Sequence, residues 1–197
     1  MLTLQIGMTS SIQKKILIIK LWKLSKKIKA ILLFHQVVFI YTEMKINKKH
    51  NFITKLISSE LTYSIRQHVL WPHIKNNQFA LDIDKQKDTF HLGVFTNSNL
   101  ICIGTFVKEN NDKIKITNQY RLRAMATNSL YQKKGAGKLL LLEGIQLLKK
   151  KKINLLWCSS RLHAIPFYKS LNMKTLDTVY HIENIGPHKT MYLYLNK

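Results

Sequence analysis

The residues most suited to chemistry in this chain are Gln132-Lys133-Lys134-Gly135-Ala136-Gly137-Lys138. A strand-like segment, residues 120–127, runs into them, and a leucine-rich helical segment, residues 139–150, runs out. A glycine-containing turn at a helix start leaves backbone N–H groups unpaired. Those groups and the helix dipole favour an anion, most often a phosphate. Glycine lets the phosphate approach the backbone, because a β-carbon would hold it away. Lys133, Lys134 and Lys138 add positive charge. Two other phosphate loops are excluded by residue type. A Walker A loop needs glycine where Gln132 stands and Ser or Thr where Leu139 stands. A dinucleotide fingerprint needs a third glycine where Leu140 stands.

The elements that must position this turn follow from periodicity. Residues 52–57 read as a first strand. Ser58-Ser59-Glu60 can open a helix whose apolar positions Leu61, Ile65, Val69 and Leu70 share a face. Trp71-Pro72 ends it, since the residue before proline avoids helix. A polar loop runs to Asp88, with Asp82 and Asp84 as solvated turn residues. Residues 90–96 and 100–108 form a hairpin around Asn97-Ser98-Asn99. A long strand over 115–127, a helix over 137–150 and a buried strand over 154–158 follow. A short helix over 162–171 holds Pro166 in its first turn. Strands at 175–182 and 190–195 close the pattern. This is an α/β chain with a mixed, mostly antiparallel sheet flanked by helices.

That order, the Arg/Gln-x-x-Gly-x-Gly/Ala spacing met by Gln132, Gly135 and Gly137, and the segment Pro166-Phe167-Tyr168-Lys169-Ser170-Leu171-Asn172-Met173 together resemble the GNAT family of N-acetyltransferases. The resemblance spans roughly residues 52–195. His91-Leu92-Gly93-Val94-Phe95, residues 120–127 and Gly186-Pro187-His188 look like segments of an uncharacterised bacterial branch. It implies acetyl-coenzyme A as cosubstrate, no metal, and a primary amine, small molecule or peptide, as acceptor. It implies that Gln132, Lys133, Lys134, Gly135, Ala136, Gly137 and Lys138 hold the pyrophosphate. The edge of the splayed central strand falls at Met125, Ala126 and Thr127, with the Met125 amide as oxyanion donor. Tyr168 takes the place of the general acid that protonates the departing thiolate. Ser159 replaces an asparagine common in the family at a coenzyme contact. Asn172-Met173 stands where Gly-Phe is frequent, a mild departure because Asn tolerates a left-handed cap.

The general base is not legible: His91, His181, Glu183, His188 and a water chain are the candidates. Arg121 and Arg123, two apart on one strand, share a face and can select an anionic acceptor or face solvent. Rival readings are an acetyltransferase fold that binds coenzyme A or a protein without catalysis, and a basic nucleic-acid-binding protein.

Composition bounds these readings. The chain has 197 residues and a net charge of +22, carried almost entirely by lysine. Such a field favours anionic partners, but no basic–aromatic nucleic-acid module is present. Residues 1–43 form a basic, apolar extension outside the fold, compatible with peripheral membrane contact. The acetyltransferase domain is expected over 44–197. The apolar run at 30–41 is shorter than the roughly 20 residues a membrane span requires. The two cysteines, Cys102 and Cys158, lie in apolar runs as reduced buried thiols. A cytoplasmic location is expected, and the sequence is compatible with a homodimer.

Overall fold

A computed structural model describes Lys26, residues 51–73 and residues 79–196, apart from the side chain of Asp177. The chain divides into two units at Lys49 and His50, and the fold described here belongs to the second. The predicted extension, residues 1–43, lies outside the described residues apart from Lys26.

The elements are β1 (Ile53–Ile57), α1 (Glu60–Ile65), β2 (Phe90–Thr96), β3 (Asn99–Lys108), β4 (Gln119–Thr127), α2 (Ala136–Lys150), β5 (Leu155–Arg161), α3 (Ile165–Lys169), β6 (Lys174–Ile182) and β7 (Gly186–Tyr194). Their order matches the order expected from periodicity. They build one seven-stranded sheet, β1-β2-β3-β4-β5-β7-β6. All neighbours are antiparallel except β4 and β5. The β2–β3 turn places both Asn97 and Ser98 at positive φ, as a two-residue primed turn demands.

The larger core lies between the sheet and α2. Leu140, Leu141 and Leu148 of α2 are fully buried against Leu92, Phe106, Leu122 and Leu156. Burying each such side chain contributes about 1.5–3 kcal/mol. Gly144 explains the close seating of the helix. A β-carbon there would come within 2.2 Å of the Phe106 ring, so the side chain of β3 occupies the space that any other residue on α2 would need.

On the opposite face the first helix departs from expectation. Its α-helical turns stop at Ile65, and Arg66–Leu70 continue as a π-helical turn. Leu61 is 52% exposed, whereas Thr62, Ile65 and Arg66 are buried. Arg66 is the hub of that face. Its guanidinium donates to both carboxylate oxygens of Asp84 at 2.6 and 2.8 Å, to the Phe79 carbonyl and to the Thr105 hydroxyl. Asp84 is therefore a buried ion-pair partner and not the solvated turn residue expected, because a buried guanidinium requires a counter-charge. Strand β4 begins at Gln119, later than expected. The Gln119 side-chain amide donates to the carbonyls of Ile114 and Ile116, holding the preceding segment as a loop.

Candidate active site

Strands β4 and β5 pair only from Gln119↔Leu155 to Leu122↔Cys158. Beyond that point they separate, although β4 continues to Thr127 and β5 to Arg161. The cause is local. The β3–β4 register shifts between Ile103 and Thr105, where Gly104 faces an extra residue on β4. Ala124 adopts φ +47° within that bulge. A bulge bends its strand and increases its twist, which turns the end of β4 away from β5. The backbone of residues 123–127 is thereby left without a strand partner on the β5 side.

A cleft of about 740 Å³ fills this opening. Met125, Ala126, Thr127, Gln132, Lys133, Gly135, Ala136, Gly137, Lys138, Ser159 and Tyr168 all line it, so the fold brings together nearly every residue expected at the site. Lys134 does not line the cleft. Its ammonium sits 5.4 Å from the Tyr131 ring centroid instead.

Gly135 is the N-cap of α2 at φ +96°, a left-handed conformation that glycine adopts without a β-carbon clash. The first intrahelical bond runs from the Leu139 amide to the Gly135 carbonyl at 3.0 Å. The amides of Ala136 and Gly137 precede it in the first turn, where the helix itself supplies no acceptor. The Gln132 side chain donates to the Thr127 carbonyl at 3.2 Å, tying the turn to the end of β4.

Met125 and Tyr168 meet across the splay. The Tyr168 hydroxyl donates to the Met125 sulfur at 3.8 Å, and the Phe167 ring packs edge-on against Tyr168. Burial pushes the Tyr168 phenol well above its ordinary value, with Cys158 adding to the shift. The hydroxyl is thus kept protonated, as an acid must be. Cys158 and Cys102 are buried and free, and burial pushes both thiols up to about 12. The expected short helix is split into a 3₁₀ turn, Leu162–Ala164, and α3. Pro166 sits within the first turn, where its missing N–H costs nothing.

The base candidates separate clearly. His91 is buried against the Thr105 hydroxyl at 3.0 Å and lies 3.9 Å from Asp84. It does not line the cleft. Burial holds it below its ordinary value, partly opposed by the Asp84 charge. His181 and Glu183 are exposed and also lie outside the lining. His188 is buried and lines the cleft. Its Nδ1 lies 2.8 Å from the Gly186 carbonyl. A carbonyl only accepts, so Nδ1 carries the hydrogen and Nε2 keeps the basic lone pair.

Sequence reading missed several cleft residues. Val69, Leu70, Trp71 and Leu81 come from the π turn and the segment before β2, and Ile182 and Ile185 from the β6–β7 turn. Arg161 donates to the Leu70 carbonyl at 3.2 Å. No periodicity announces that such separate segments converge. No cluster of three or more His, Cys, Asp or Glu side chains able to hold a metal occurs among the described residues. No helix among them is long and apolar enough to cross a membrane.

Comparison with known proteins matches this geometry. The profile of the Acetyltransferase (GNAT) family matches residues 52–173. An uncharacterized N-acetyltransferase of Bacillus subtilis, YitI, is 36% identical over 138 residues, covering 70% of this chain and 93% of that protein. The ribosomal-protein-S18-alanine N-acetyltransferase of Escherichia coli superposes with a TM-score of 0.59 at 19% identity, over 74% of this chain and 95% of that one. An aminoglycoside 6′-N-acetyltransferase, solved in complex with coenzyme A, gives a TM-score of 0.60 at 12% identity, over 74% of this chain and 98% of that one. The bulged and splayed central strand, the glycine turn at the start of α2 and the matched sequence place this chain in the GNAT family of N-acetyltransferases.

Proposed function

We propose that the cleft binds acetyl-coenzyme A and passes its acetyl group directly to a primary amine. The parting of β4 from β5 beyond Leu122, beside the α2 N-terminus, carries this reading. When bound, acetyl-coenzyme A supplies the activated thioester. The residues present fit it. The Ala136 and Gly137 amides open α2, where the helix supplies no acceptor, Gly137 presents no side chain there, and Lys133 and Lys138 line the same cleft. These groups hold the pyrophosphate at the positive end of the helix dipole.

The Met125 amide serves as the oxyanion donor, and such a donor in a water-poor site typically contributes about 10²–10³ in rate. Ala126 and Thr127 offer backbone groups to the pantetheine amides. Tyr168 donates its proton to the departing thiolate. His188 is the one base candidate that lines the cleft, and its Nε2 takes the amine proton directly or through water. The acceptor is a small molecule or a peptide, and the site works without a metal.

The test is thiol release from acetyl-coenzyme A across a panel of amines, with calorimetric binding in parallel. Amine-dependent release with stoichiometric acetylated product is the expected result. Tight binding with no release across the panel would favour a binding module that lacks catalysis.

A further inference from the structure

Lysine supplies all but four of the 32 basic residues. The four arginines, Arg66, Arg121, Arg123 and Arg161, gather on one face of the sheet. Arg66 reaches the Thr105 hydroxyl. Thr105 pairs across the ladder with Arg123, and Val107 with Arg121. Arg121 stacks on Trp157 at 4.5 Å and reaches the Ser159 hydroxyl, two residues before Arg161 on the same side of β5.

Three of the four have partners there. Arg66 holds Asp84 through two bonds. Arg121 holds Glu109 at 2.6 Å. Arg161 donates to a carbonyl. Arg123 makes no hydrogen bond or ion pair with any described residue. Yet it is half-buried and lines the cleft. The Asp84 and Glu109 carboxylates near it are already held by Arg66 and Arg121, leaving three guanidinium charges facing two carboxylates. No Asp or Glu lines the cleft among the described residues, and residues 74–78, Ile-Lys-Asn-Asn-Gln, contain none. A half-buried guanidinium that directly bonds no carboxylate, beside two other arginines, is under-compensated, and its planar fork suits a carboxylate or phosphate.

Arg123 stands two residues before Met125 on β4, across the bulge at Ala124. The proposed pyrophosphate site at the start of α2 has its own cations, Lys133 and Lys138, which leaves the Arg123 charge for an anion on the acceptor. Arg161 lines the same cleft, and Leu70, Trp71, Ile182 and Ile185 offer apolar lining to a short carbon skeleton. Resting on the acetyltransferase reading of the same cleft, we propose that the acceptor amine carries an anionic oxyacid group, carboxylate or phosphate, held by Arg123. Of the two arginines that the sequence offers for selecting an anionic acceptor, Arg121 is occupied by Glu109 and Ser159, which leaves Arg123 for that role.

The test uses the full chain, acetyl-coenzyme A and matched acceptor pairs. Amino acids are compared with their amides, and O-phosphoethanolamine with ethanolamine, by thiol release and product mass. The anionic member of at least one pair is expected to show at least tenfold higher kcat/KM, and the responding pair identifies carboxylate or phosphate. Arg123→Gln should lower that kcat/KM at least tenfold, mainly through KM, with Arg123→Lys intermediate. Calorimetric affinity for acetyl-coenzyme A confirms that each variant is folded. A preference for the neutral members, or a preference that survives Arg123→Gln, overturns the proposal. So does acetyl-coenzyme A binding with no turnover of any anionic amine, an outcome that leaves acetyl transfer to other amines standing. Absence of acetyl-coenzyme A binding to the parent chain overturns both readings together.

Discussion

The Tyr168 hydroxyl sits 3.8 Å from the Met125 sulfur, joining α3 to the bulged end of β4 across the splay. The contact fixes the phenol beside the strand whose amide is assigned to the thioester oxygen. Tyr168→Phe keeps the ring and its edge-on packing with Phe167 and removes only the proton donor. Turnover should fall by about 10²–10⁴-fold, or roughly 3–5 kcal/mol of barrier. Acetyl-coenzyme A affinity should change little. Because burial raises the phenol well above its ordinary value, the acid stays protonated through pH 9 and imposes no alkaline limit there. Undiminished turnover in Tyr168→Phe, with chemistry rate-limiting, would return this residue to a packing role.

Gly137 offers a cleaner probe of the phosphate site than Gly135, whose positive φ makes any side chain strained. A β-carbon at Gly137 would meet the Met125 methyl at 3.3 Å and the Phe167 ring at 3.6 Å, contacts the fold can absorb with a small shift. Gly137→Val should therefore fold. It should lose about tenfold or more in acetyl-coenzyme A affinity, or about 1.4 kcal/mol. Calorimetry giving the parent affinity in a folded variant would remove the pyrophosphate from this turn.

Acid stability should reflect the Arg66–Asp84–His91 cluster. His91 is held below 6.5 by burial. The unfolded chain therefore takes up a proton near pH 6.5 that the folded chain refuses, and stability falls as pH drops below that value. Burial opposes the charge on Asp84, but hydrogen bonds from Arg66 and the Leu81 amide, with the Arg66 charge, outweigh it and hold the carboxyl below 3.8. Its contribution is present above pH 3.8 and is lost as pH falls through the lower folded value. At neutral pH, Asp84→Asn strands the buried Arg66 charge and should cost about 3–5 kcal/mol. Urea midpoints across pH measure both effects. A midpoint for Asp84→Asn equal to the parent's would show that the pair contributes nothing.

A chain beginning at Met44 should keep the fold, since every described strand and helix of the sheet domain lies after it. The readouts are solubility, a cooperative thermal transition and acetyl-coenzyme A affinity. Loss of the transition would make residues 1–43 part of the domain. Flotation of the full-length chain alone with anionic vesicles would assign those residues to a membrane surface.

The order of elements was legible because each carries its own signal: apolar runs on either side of the Asn97-Ser98 turn, a leucine face on α2, a proline at the start of α3. The glycine turn was legible for the same reason. Its chemistry is local to Gly135, Gly137 and the helix that follows. What sequence could not supply depends on contacts between distant segments. The burial of Asp84 follows from its pairing with Arg66, eighteen residues earlier in the chain. The bulge at Ala124 follows from one extra residue set against Gly104 on a neighbouring strand, and from it comes the parting of β4 and β5. Of His91, His181, Glu183 and His188, only tertiary placement singles out His188, because nothing in a residue's type tells which side of a sheet or turn it will face. The same holds for Arg121 and Arg123. They are identical in type and alike in spacing, and it is Glu109, Ser159 and Trp157, from other segments, that engage Arg121, while no described residue bonds Arg123.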